Sequence, residues 1–554
     1  MNPPSVPGGR PRPPVCPAMT PDDPRFNSDA TPWPAWVTGF RDTQVAAMIQ
    51  VVEAFNHGAD VVMLDAPTGT GKTLLAEMVR RAGGFRNALY VCNTIGLQDQ
   101  FLSDFPYAQL IKGRSNYIPL DGPPDATCAD CSGKECTWCE TPDGDVACPY
   151  KQARTRALQS QLSVTNTAYF IAEANHVGGF SGRDLVIADE SDTLEGILTG
   201  YIEFRVPQKW LNRLGLDEPK KGSHGTTVTR WVSEVLTPAL REWKCPLDDP
   251  LEKAAEERDK DTLLGACVRF TSSDIEEWVR DNDAGPVVYR PISCAAWGPE
   301  LLWGHGRKWL CMSGSIISTR EQVRSLGAMG LEVATVNVPM TFPVENRPIY
   351  IAPVADMSLK SQEADMPKMI AAIETIIADH PGDRVLIHCV SYKLADTLHR
   401  KLSLSKREEV RARPMFTYHN SRERDDAFSR YEKATGAVLL AASMDRGFDF
   451  AGDLARVVIV AKVPFMSLGD KQVSRRMRAP GGEEWYAVQA VRTILQMTGR
   501  GVRSATDSCE TYILDKQFAT NLYAKNMSFF PRWWRDGIVR AFNWKRLLEP
   551  ERAA

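Results

Sequence analysis

Three features that mark specialised classes of protein are missing from this 554-residue sequence. It contains no run of 18 apolar residues, so we expect no membrane-spanning helix. Its first residues are rich in proline and not apolar, so we expect no secretory signal. A net charge of −3 excludes a basic coat protein, and any surface that binds nucleic acid must therefore be a local groove. With 43% hydrophobic and 24% charged residues, the composition fits a globular protein of about three or four domains.

Cysteine is thinly spread outside one short stretch. Of 13 cysteines, eight are scattered singly and five fall between residues 128 and 148. This distribution favours a reduced compartment with one local metal or cluster site over a disulfide framework. The five follow the spacing C-x2-C-x4-C-x2-C-x8-C, and four thiolates suffice for either a zinc ion or a 4Fe–4S cluster. Only four residues separate the two CxxC pairs, which is less typical of a zinc ribbon.

The most informative stretch runs from residue 61 to residue 73. Residues 61–65 are mostly apolar and predict a buried strand. The glycines that follow let the backbone turn sharply and point its N–H groups at phosphate oxygens, and the helix expected after them adds its positive end. Lys72 can reach the β- and γ-phosphates, and the Thr73 hydroxyl can bind Mg²⁺. The predicted nucleotide-binding residues are Ala66, Pro67, Thr68, Gly69, Thr70, Gly71, Lys72 and Thr73.

Two flanking segments give weaker signals. Gln44 lies upstream of the phosphate loop, where it could contact the base of the nucleotide or be a plain helix-surface residue. A second predicted strand, residues 88–92, is followed by Thr94 and Gln98, which could hold a nucleic-acid backbone or form an ordinary helix start. Strand, helix and strand with polar residues at the strand ends predict an α/β, doubly wound arrangement.

An acidic pair follows a later apolar run. Asp189 and Glu190 come directly after residues 184–188. Asp189 would hold Mg²⁺ through water, and Glu190 would polarise the attacking water. An Asp-Glu pair alone is common, but about 115 residues after a phosphate loop it predicts a nucleotide hydrolase.

A second α/β unit begins near residue 338 without a phosphate loop of its own. Its sequence carries Gly447 and Asp449, and then Gln496, Arg500 and Arg503. The two arginines share one helical face, and planar guanidinium groups suit the charge that develops on a γ-phosphate. A surface salt-bridge pair is the alternative, but the nucleotide half upstream favours a shared ATP site.

Taken together, these segments resemble superfamily-two DNA helicases of the XPD/DinG type over about residues 40–550. Residues 66–73, 94–100, 189–192, 313–315, 388–392, 447–450 and 496–503 look like motifs I, Ia, II, III, IV, V and VI of that family. Residues 112–117, which include Arg114 and Tyr117, followed by cysteines that end in Cys-Pro-Tyr, resemble the start of its 4Fe–4S domain. The overall likeness is to small bacterial or phage-encoded members.

The resemblance implies an α/β fold with two RecA-like motor domains, an inserted cysteine-cluster (4Fe–4S) domain and an inserted helical Arch-like domain. The expected organisation is a disordered Pro-rich tail at 1–35, motor domain 1 at 36–105, 165–192 and 306–337, the cluster domain at 106–164, the Arch-like domain at 193–305 and motor domain 2 at 338–554. It also implies adenine contact by Gln44, nucleotide contact by Gly447 and Asp449, and DNA contact by Thr94, Gln98, Arg114 and Tyr117.

The implied activity is ATP- and Mg²⁺-dependent movement, 5′ to 3′, along single-stranded DNA with unwinding of duplexes that carry a single-stranded 5′ tail. We expect a monomeric motor in the bacterial or phage-infected host cytoplasm, with no membrane partner. Two alternatives stay open: a single-strand translocase that removes bound proteins without unwinding, and an ATP-gated DNA-binding or assembly factor.

Two positions depart from the family pattern. Motif II usually ends in His, and Asp192 stands there, which puts the coupling of ATP state to the DNA site in question. No cysteine follows Tyr117 directly, so the first cluster ligand must be Cys128 or Cys131. The expected ligands are Cys131, Cys136, Cys139 and Cys148, with Cys128 as the spare or in place of Cys131, and zinc is the less favoured occupant.

Overall fold

The computed structural model describes residues 19–26, 31–131, 137–139, 148–220, 223–248, 250–281, 287–444, 450, 452–499, 501, 502, 504 and 506–548. Its strands in chain order are β1 (Val61–Asp65), β2 (Ala88–Cys92), β3 (Gln109–Leu110), β4 (Leu162–Asn166), β5 (Arg183–Ala188), β6 (Phe204–Arg205), β7 (Trp278–Asp281), β8 (Val288–Pro291), β9 (Gly306–Ser313), β10 (Val333–Asn337), β11 (Ile349–Ala355), β12 (Val385–His388), β13 (Met415–Phe416), β14 (Val438–Ala441), β15 (Val457–Val460) and β16 (Glu510–Asp515).

The helices surround three sheets formed by these strands. They are α1 (Asp42–Asn56), α2 (Lys72–Ala82), α3 (Ile95–Asp104), α4 (Pro149–Gln159), α5 (Thr167–His176), α6 (Leu194–Ile202), α7 (Gln208–Leu214), α8 (Gly225–Trp231), α9 (Thr237–Glu242), α10 (Pro250–Thr271), α11 (Gly298–Leu301), α12 (Thr319–Ser325), α13 (Gln362–Asp379), α14 (Tyr392–Leu402), α15 (Glu408–Arg411), α16 (Ser421–Lys433), α17 (Lys471–Arg478), α18 (Gly482–Thr498), α19 (Ala524–Asn526) and α20 (Arg532–Asp536). Among the described residues, none of these helices has both the length and the apolarity needed to cross a bilayer.

The first sheet is wholly parallel and has the strand order β10-β1-β9-β5-β2-β4-β3. Every residue of β1 and of β2 is buried, as expected for parallel strands covered by helices on both faces. The strands therefore deliver their carboxyl ends to one edge, where ligands bind in open α/β sheets. We call this sheet with its helices domain 1.

The outline of domain 1 differs from the expected boundaries. Strand β3 and the first three residues of β4 lie inside residues 106–164, which were assigned to the cluster domain, yet β4 pairs with β2 along its whole length. Its apolar side chains complete the core of the sheet, so the cysteine-rich insert is narrower and runs from residue 111 to residue 161.

Part of the proline-rich tail is folded onto domain 1, contrary to the expectation that ordered structure begins near Trp36. Phe26 is buried, and its ring contacts those of Trp33 and Phe40 at 5.2 and 5.3 Å. The Arg81 guanidinium lies 4.1 Å from the Trp33 ring. Proline disfavours helices, but it does not prevent neighbouring aromatic side chains from packing. A high proline content alone therefore does not predict disorder here. Residues 1–18 and 27–30 lie outside the described residues.

The helical insert, residues 193–305, also contains strands that the sequence reading missed. Strands β6, β8 and β7 form an antiparallel sheet, and α10 packs against it. Phe204 of β6 stacks on Phe270 of α10 with ring centroids 4.3 Å apart. The strands are two to four residues long, which is too short to give a clear alternating pattern in the sequence.

The second sheet is also wholly parallel and has the strand order β11-β16-β15-β12-β14-β13. This sheet lies in the second α/β unit that the sequence predicts from near residue 338. We call this sheet with its helices domain 2. Helix α18 of domain 2 reaches the carboxyl edge of the first sheet, where its side chains meet those of domain 1.

Candidate nucleotide and cluster sites

The phosphate loop occupies the turn between β1 and α2. Gly69 and Gly71 have φ values of 78° and 75°, in the left-handed region that favours glycine. A Cβ at Gly71 would lie 2.6 Å from Nε2 of Gln44, so this position is closed to larger residues by close approach as well as by conformation. Helix α2 begins at Lys72 and therefore presents its N-terminal N–H groups to the loop.

Two residues upstream of the loop hold its backbone. The buried Gln44 amide donates to the Thr70 carbonyl at 3.0 Å, and its oxygen accepts from the Arg41 N–H at 3.0 Å. Arg41 Nη1 donates to the Gly69 carbonyl at 2.7 Å. Both ends of the Gln44 side chain are thus engaged within the protein, and its position supports bracing of the loop; the contact with adenine stays a prediction. The sequence reading gave Arg41 no role.

The acidic pair faces the phosphate loop. Glu190 Oε1 lies 3.8 Å from Lys72 Nζ, and Asp189 Oδ2 accepts a hydrogen bond from the Tyr90 hydroxyl at 2.7 Å. Burial and the adjacent charge of Asp189 raise the pKa of Tyr90 well above its ordinary value, and Thr73 hydrogen-bonds the same phenol. The predicted Mg²⁺ residues Thr73 and Asp189 are therefore joined through Tyr90, a residue that no sequence motif marked.

The backbone at Glu190 is unusual. Its φ of 50° lies in the left-handed region, which non-glycine residues adopt rarely and at an energetic cost. Asp65 is buried at the end of β1, and burial raises its pKa to about 7, against the opposing effects of a backbone N–H from Ile316 and the charge of Lys72. A strained backbone at Glu190 and a desolvated carboxyl at the same edge of the sheet are typical of a reaction site.

Domain 2 contributes to the same edge. Thr68 of the phosphate loop donates to the Gly499 carbonyl at 3.1 Å, and Gln496 Nε2 donates to the Ser315 hydroxyl at 2.9 Å. Gln496 therefore contacts the segment that resembles motif III, not the loop itself. The predicted residues Arg500, Arg503, Gly447 and Asp449 lie outside the described residues.

Four of the five clustered cysteines are described and buried: Cys128, Cys131, Cys139 and Cys148, with 1–3% of their surface exposed. The Cys128 thiol hydrogen-bonds Cys148 and lies near Cys139; burial, followed by these neighbours, raises its pKa to about 11. This contact favours Cys128 as a ligand, the alternative that the sequence left open, and the choice between Cys128 and Cys131 stays a prediction. Within the described part of the chain, no three metal-ligating side chains are close enough together to hold an ion, and Cys136 lies outside that part.

Arg258, a side chain of the helical insert, contacts the cysteine-rich insert. It lies on α10 and donates to the carbonyls of Cys131 and Ala129 at 3.0 and 3.2 Å. These contacts hold the backbone that carries Cys131 against the helical insert.

The predicted DNA contacts occupy different settings. Gln98 is fully buried, so its side chain does not fit the predicted contact with a DNA strand on the protein surface. Thr94 is the N-cap of α3, accepting from the Leu97 N–H at 3.3 Å. Arg114 lies over the Tyr150 ring at 5.2 Å, and Tyr117 accepts from the Lys112 N–H at 3.1 Å, so both also support the cysteine-rich insert.

Comparison with known proteins finds family models that match two parts of the chain. Residues 38–191 match the family described as type III restriction enzyme, res subunit, and residues 373–537 match the family described as helicase C-terminal domain. The chain is 23% identical to the ATP-dependent DNA helicase YoaA of Escherichia coli strain K12, across 88% of this chain and 93% of that protein. It is 28% identical to a regulator of telomere elongation helicase 1 homolog of Oryza sativa subsp. japonica, across 24% of this chain but only 15% of that protein.

Solved structures share the fold over most of the chain. A structure titled XPD helicase matches with a TM-score of 0.61 at 18% identity, covering 88% of this chain and 98% of that one. The structure of S. tokodaii Xpd4 matches with a TM-score of 0.56 at 14% identity, covering 90% and 99%. These structures have two RecA-like domains in common with this chain. Together with the two family models and the YoaA match, they support an XPD/DinG-type superfamily-two helicase, which this chain resembles.

Proposed function

We propose that this protein is an ATP-dependent DNA helicase that moves 5′ to 3′ along single-stranded DNA and unwinds duplexes with a single-stranded 5′ tail. The observation that carries the proposal is the position of the phosphate loop, which faces Glu190 and at the same time contacts Gly499 of domain 2. A nucleotide bound there would touch both domains, so its hydrolysis would change how they sit against each other. The full-length likeness to YoaA, whose name describes an ATP-dependent DNA helicase, supports the same proposal.

The residues present fit ATP with Mg²⁺. The N–H groups at the start of α2 and Lys72 would bind the phosphates, and Thr73 and Asp189 would hold the cation, which neutralises phosphate charge when bound. Glu190 would accept a proton from the attacking water, and its 3.8 Å separation from Lys72 keeps its carboxylate near the phosphates. Arg500 and Arg503 would stabilise the transition state from domain 2.

The cysteine-rich insert supports a 4Fe–4S cluster as a second group. Its donor set consists of buried thiols, and the contact between Cys128 and Cys148 fits their use as ligands. We assign Cys128 and Cys148 to the cluster, with the two further ligands supplied from Cys131, Cys136 and Cys139; cluster binding would require the described thiols to come closer together than they lie in this structure. When bound, the cluster would cross-link the insert, and together with the Arch-like helical insert it would form the wedge that separates the strands.

Single-stranded DNA is the proposed substrate, bound across both domains of a monomeric motor in the bacterial or phage-infected host cytoplasm. Because backbone contacts release counterions, its affinity should fall steeply with salt. Among the predicted DNA contacts, Thr94, Arg114 and Tyr117 stay candidates, since their side chains are partly exposed.

The experiment that tests the proposal is ATP hydrolysis by anaerobically purified protein with and without a single-stranded oligonucleotide. We expect strong stimulation by the strand, and almost none in Glu190→Gln, which should still bind ATP. Absence of stimulation in the wild type would contradict the proposal and favour an ATP-gated binding factor. Stimulation without unwinding, together with displacement of streptavidin from biotinylated DNA, would instead indicate a translocase.

A further inference from the structure

A buried ion pair crosses the cleft between the two domains. Asp192, two residues after Glu190 in domain 1, has Oδ2 3.7 Å from Nε of Arg492 on helix α18 of domain 2. Their side chains are 0% and 5% exposed. Opposite charges in such a water-poor position interact strongly, and removing one partner leaves the other uncompensated.

Asp192 also accepts hydrogen bonds from two serines at the end of strand β9. Its two carboxylate oxygens accept from Ser313 at 2.8 Å and from Ser315 at 3.2 Å. Ser315 in turn accepts from Gln496, four residues after Arg492 on the same helix. Two consecutive turns of α18 are therefore connected to Asp192, one through charge and one through a hydroxyl.

The Arg492 Nε–H group could form a closer contact with Asp192. Its Nη1 donates to Gln489 at 3.0 Å and its Nη2 lies 3.9 Å from Glu321, but Nε has no hydrogen-bond partner within the described residues. At 3.7 Å the contact with Asp192 is too long for a hydrogen bond. A shift of α18 toward domain 1 by about 1 Å would make it a charge-assisted hydrogen bond, which is among the stronger polar contacts in proteins.

We propose that Asp192 and Arg492 are positioning residues that couple closure of the cleft to hydrolysis. The inference rests on the proposed function. Tightening of the pair would draw in α18, which leads directly to Arg500 and Arg503, and would fix the turn that carries Glu190. An Asp in place of the usual His therefore does not remove the coupling contact; it converts the contact into an ion pair with Arg492.

The test is a double-mutant cycle with Asp192→Asn, Arg492→Gln and the combined variant. Each single variant should lower the DNA-stimulated kcat about tenfold, the effect of losing one charge-assisted hydrogen bond made in the closed state. The KM for ATP should stay within about twofold, because neither side chain is among the residues that would bind the phosphates, and the basal kcat should fall less than the stimulated kcat, because the contact tightens in the closed state. The combined variant should be no worse than the worse single variant, since both remove the same contact.

Arg324 and Glu484 provide a matched control, because they form another ion pair between domain 1 and the start of helix α18, at 2.9 Å. Glu484→Gln should leave the ratio of stimulated to basal kcat unchanged, and Arg492→Lys, which keeps the charge, should recover part of that ratio. Additive losses in the cycle, an equal loss in Glu484→Gln, or no recovery by Arg492→Lys would overturn this inference alone. A wild type without DNA-stimulated turnover would overturn the proposed function and this inference together.

Discussion

The two parallel sheets use the same kind of residue for different purposes. In domain 1, Asp189 follows strand β5 and accepts from the Tyr90 hydroxyl and the Glu190 N–H, beside the phosphate loop. In domain 2, Asp515 ends strand β16 and accepts from the N–H groups of Met357, Val463 and Gln517. Asp189 lies beside the phosphate loop, whereas Asp515 holds the loops of its own domain in place.

The comparison teaches that the fold alone does not make a nucleotide site. Both sheets bring strand ends and helix starts to one edge, but among the described residues it is domain 1 that has a loop whose glycines direct a set of N–H groups there. Asp515 is buried, and burial raises its pKa despite three N–H donors. The Asp515 carboxylate is already occupied by N–H groups of its own domain. The loops at the strand ends therefore decide which domain can bind phosphate.

The largest expected effect comes from the lysine of the phosphate loop. Lys72→Ala should abolish measurable ATP hydrolysis, because the ammonium group that would bind the β- and γ-phosphates is removed. The matched control is Lys462→Ala, since Lys462 follows strand β15 of the second sheet and contacts Gln362 at 3.4 Å. That variant should retain turnover in the same phosphate-release assay. Full activity of Lys72→Ala would refute the site.

A smaller loss is expected from the contribution of domain 2. Arg503→Ala should reduce turnover about a thousandfold, as the loss of an arginine that stabilises transferring phosphate does, while ATP binding stays nearly intact. Equilibrium binding of a fluorescent ATP analogue together with single-turnover hydrolysis separates the two. An equal loss of binding and turnover would give Arg503 a structural role and weaken the view that both domains share the chemistry.

The cysteine-rich insert should affect unwinding more than hydrolysis. Cys148→Ser should abolish strand separation but leave much of the single-strand-stimulated ATPase, because the insert lies outside both motor sheets. Absorbance near 400 nm and the iron content distinguish a cluster from colourless zinc. Cys128→Ser should lose the cluster as Cys148→Ser does; an intact cluster in Cys128→Ser would restore Cys128 as the spare thiol.

The smallest effect on catalysis is expected at the supporting aspartate. Asp515→Asn should lower the free energy of unfolding by about 1–3 kcal/mol, because a buried acceptor of three N–H groups is weakened. Turnover at temperatures below the transition should change by less than about twofold, since the residue lies away from the phosphates. Thermal unfolding measured beside hydrolysis tests both statements. A large loss of turnover without a loss of stability would place Asp515 in the catalytic machinery.

The sequence predicted the two parallel sheets and the phosphate loop because both depend on local patterns. Buried parallel strands are continuous apolar runs, and the Gly-Lys-Thr order is dictated by phosphate geometry. Contacts between distant segments could not be predicted from local patterns. Tyr90 belongs to no motif, the Gln44 amide donates to the Thr70 carbonyl, and Gln98 is buried. Strand β4 was misassigned because its partner, β2, lies about 70 residues earlier in the chain.

The central claim is that the cleft between the domains drives 5′ to 3′ unwinding. Strand displacement should be measured with anaerobically purified protein, ATP and duplexes that carry either a 5′ or a 3′ single-stranded tail. The account predicts unwinding from the 5′ tail alone, and its loss in Glu190→Gln. Unwinding from the 3′ tail, or equal unwinding from both, would contradict it.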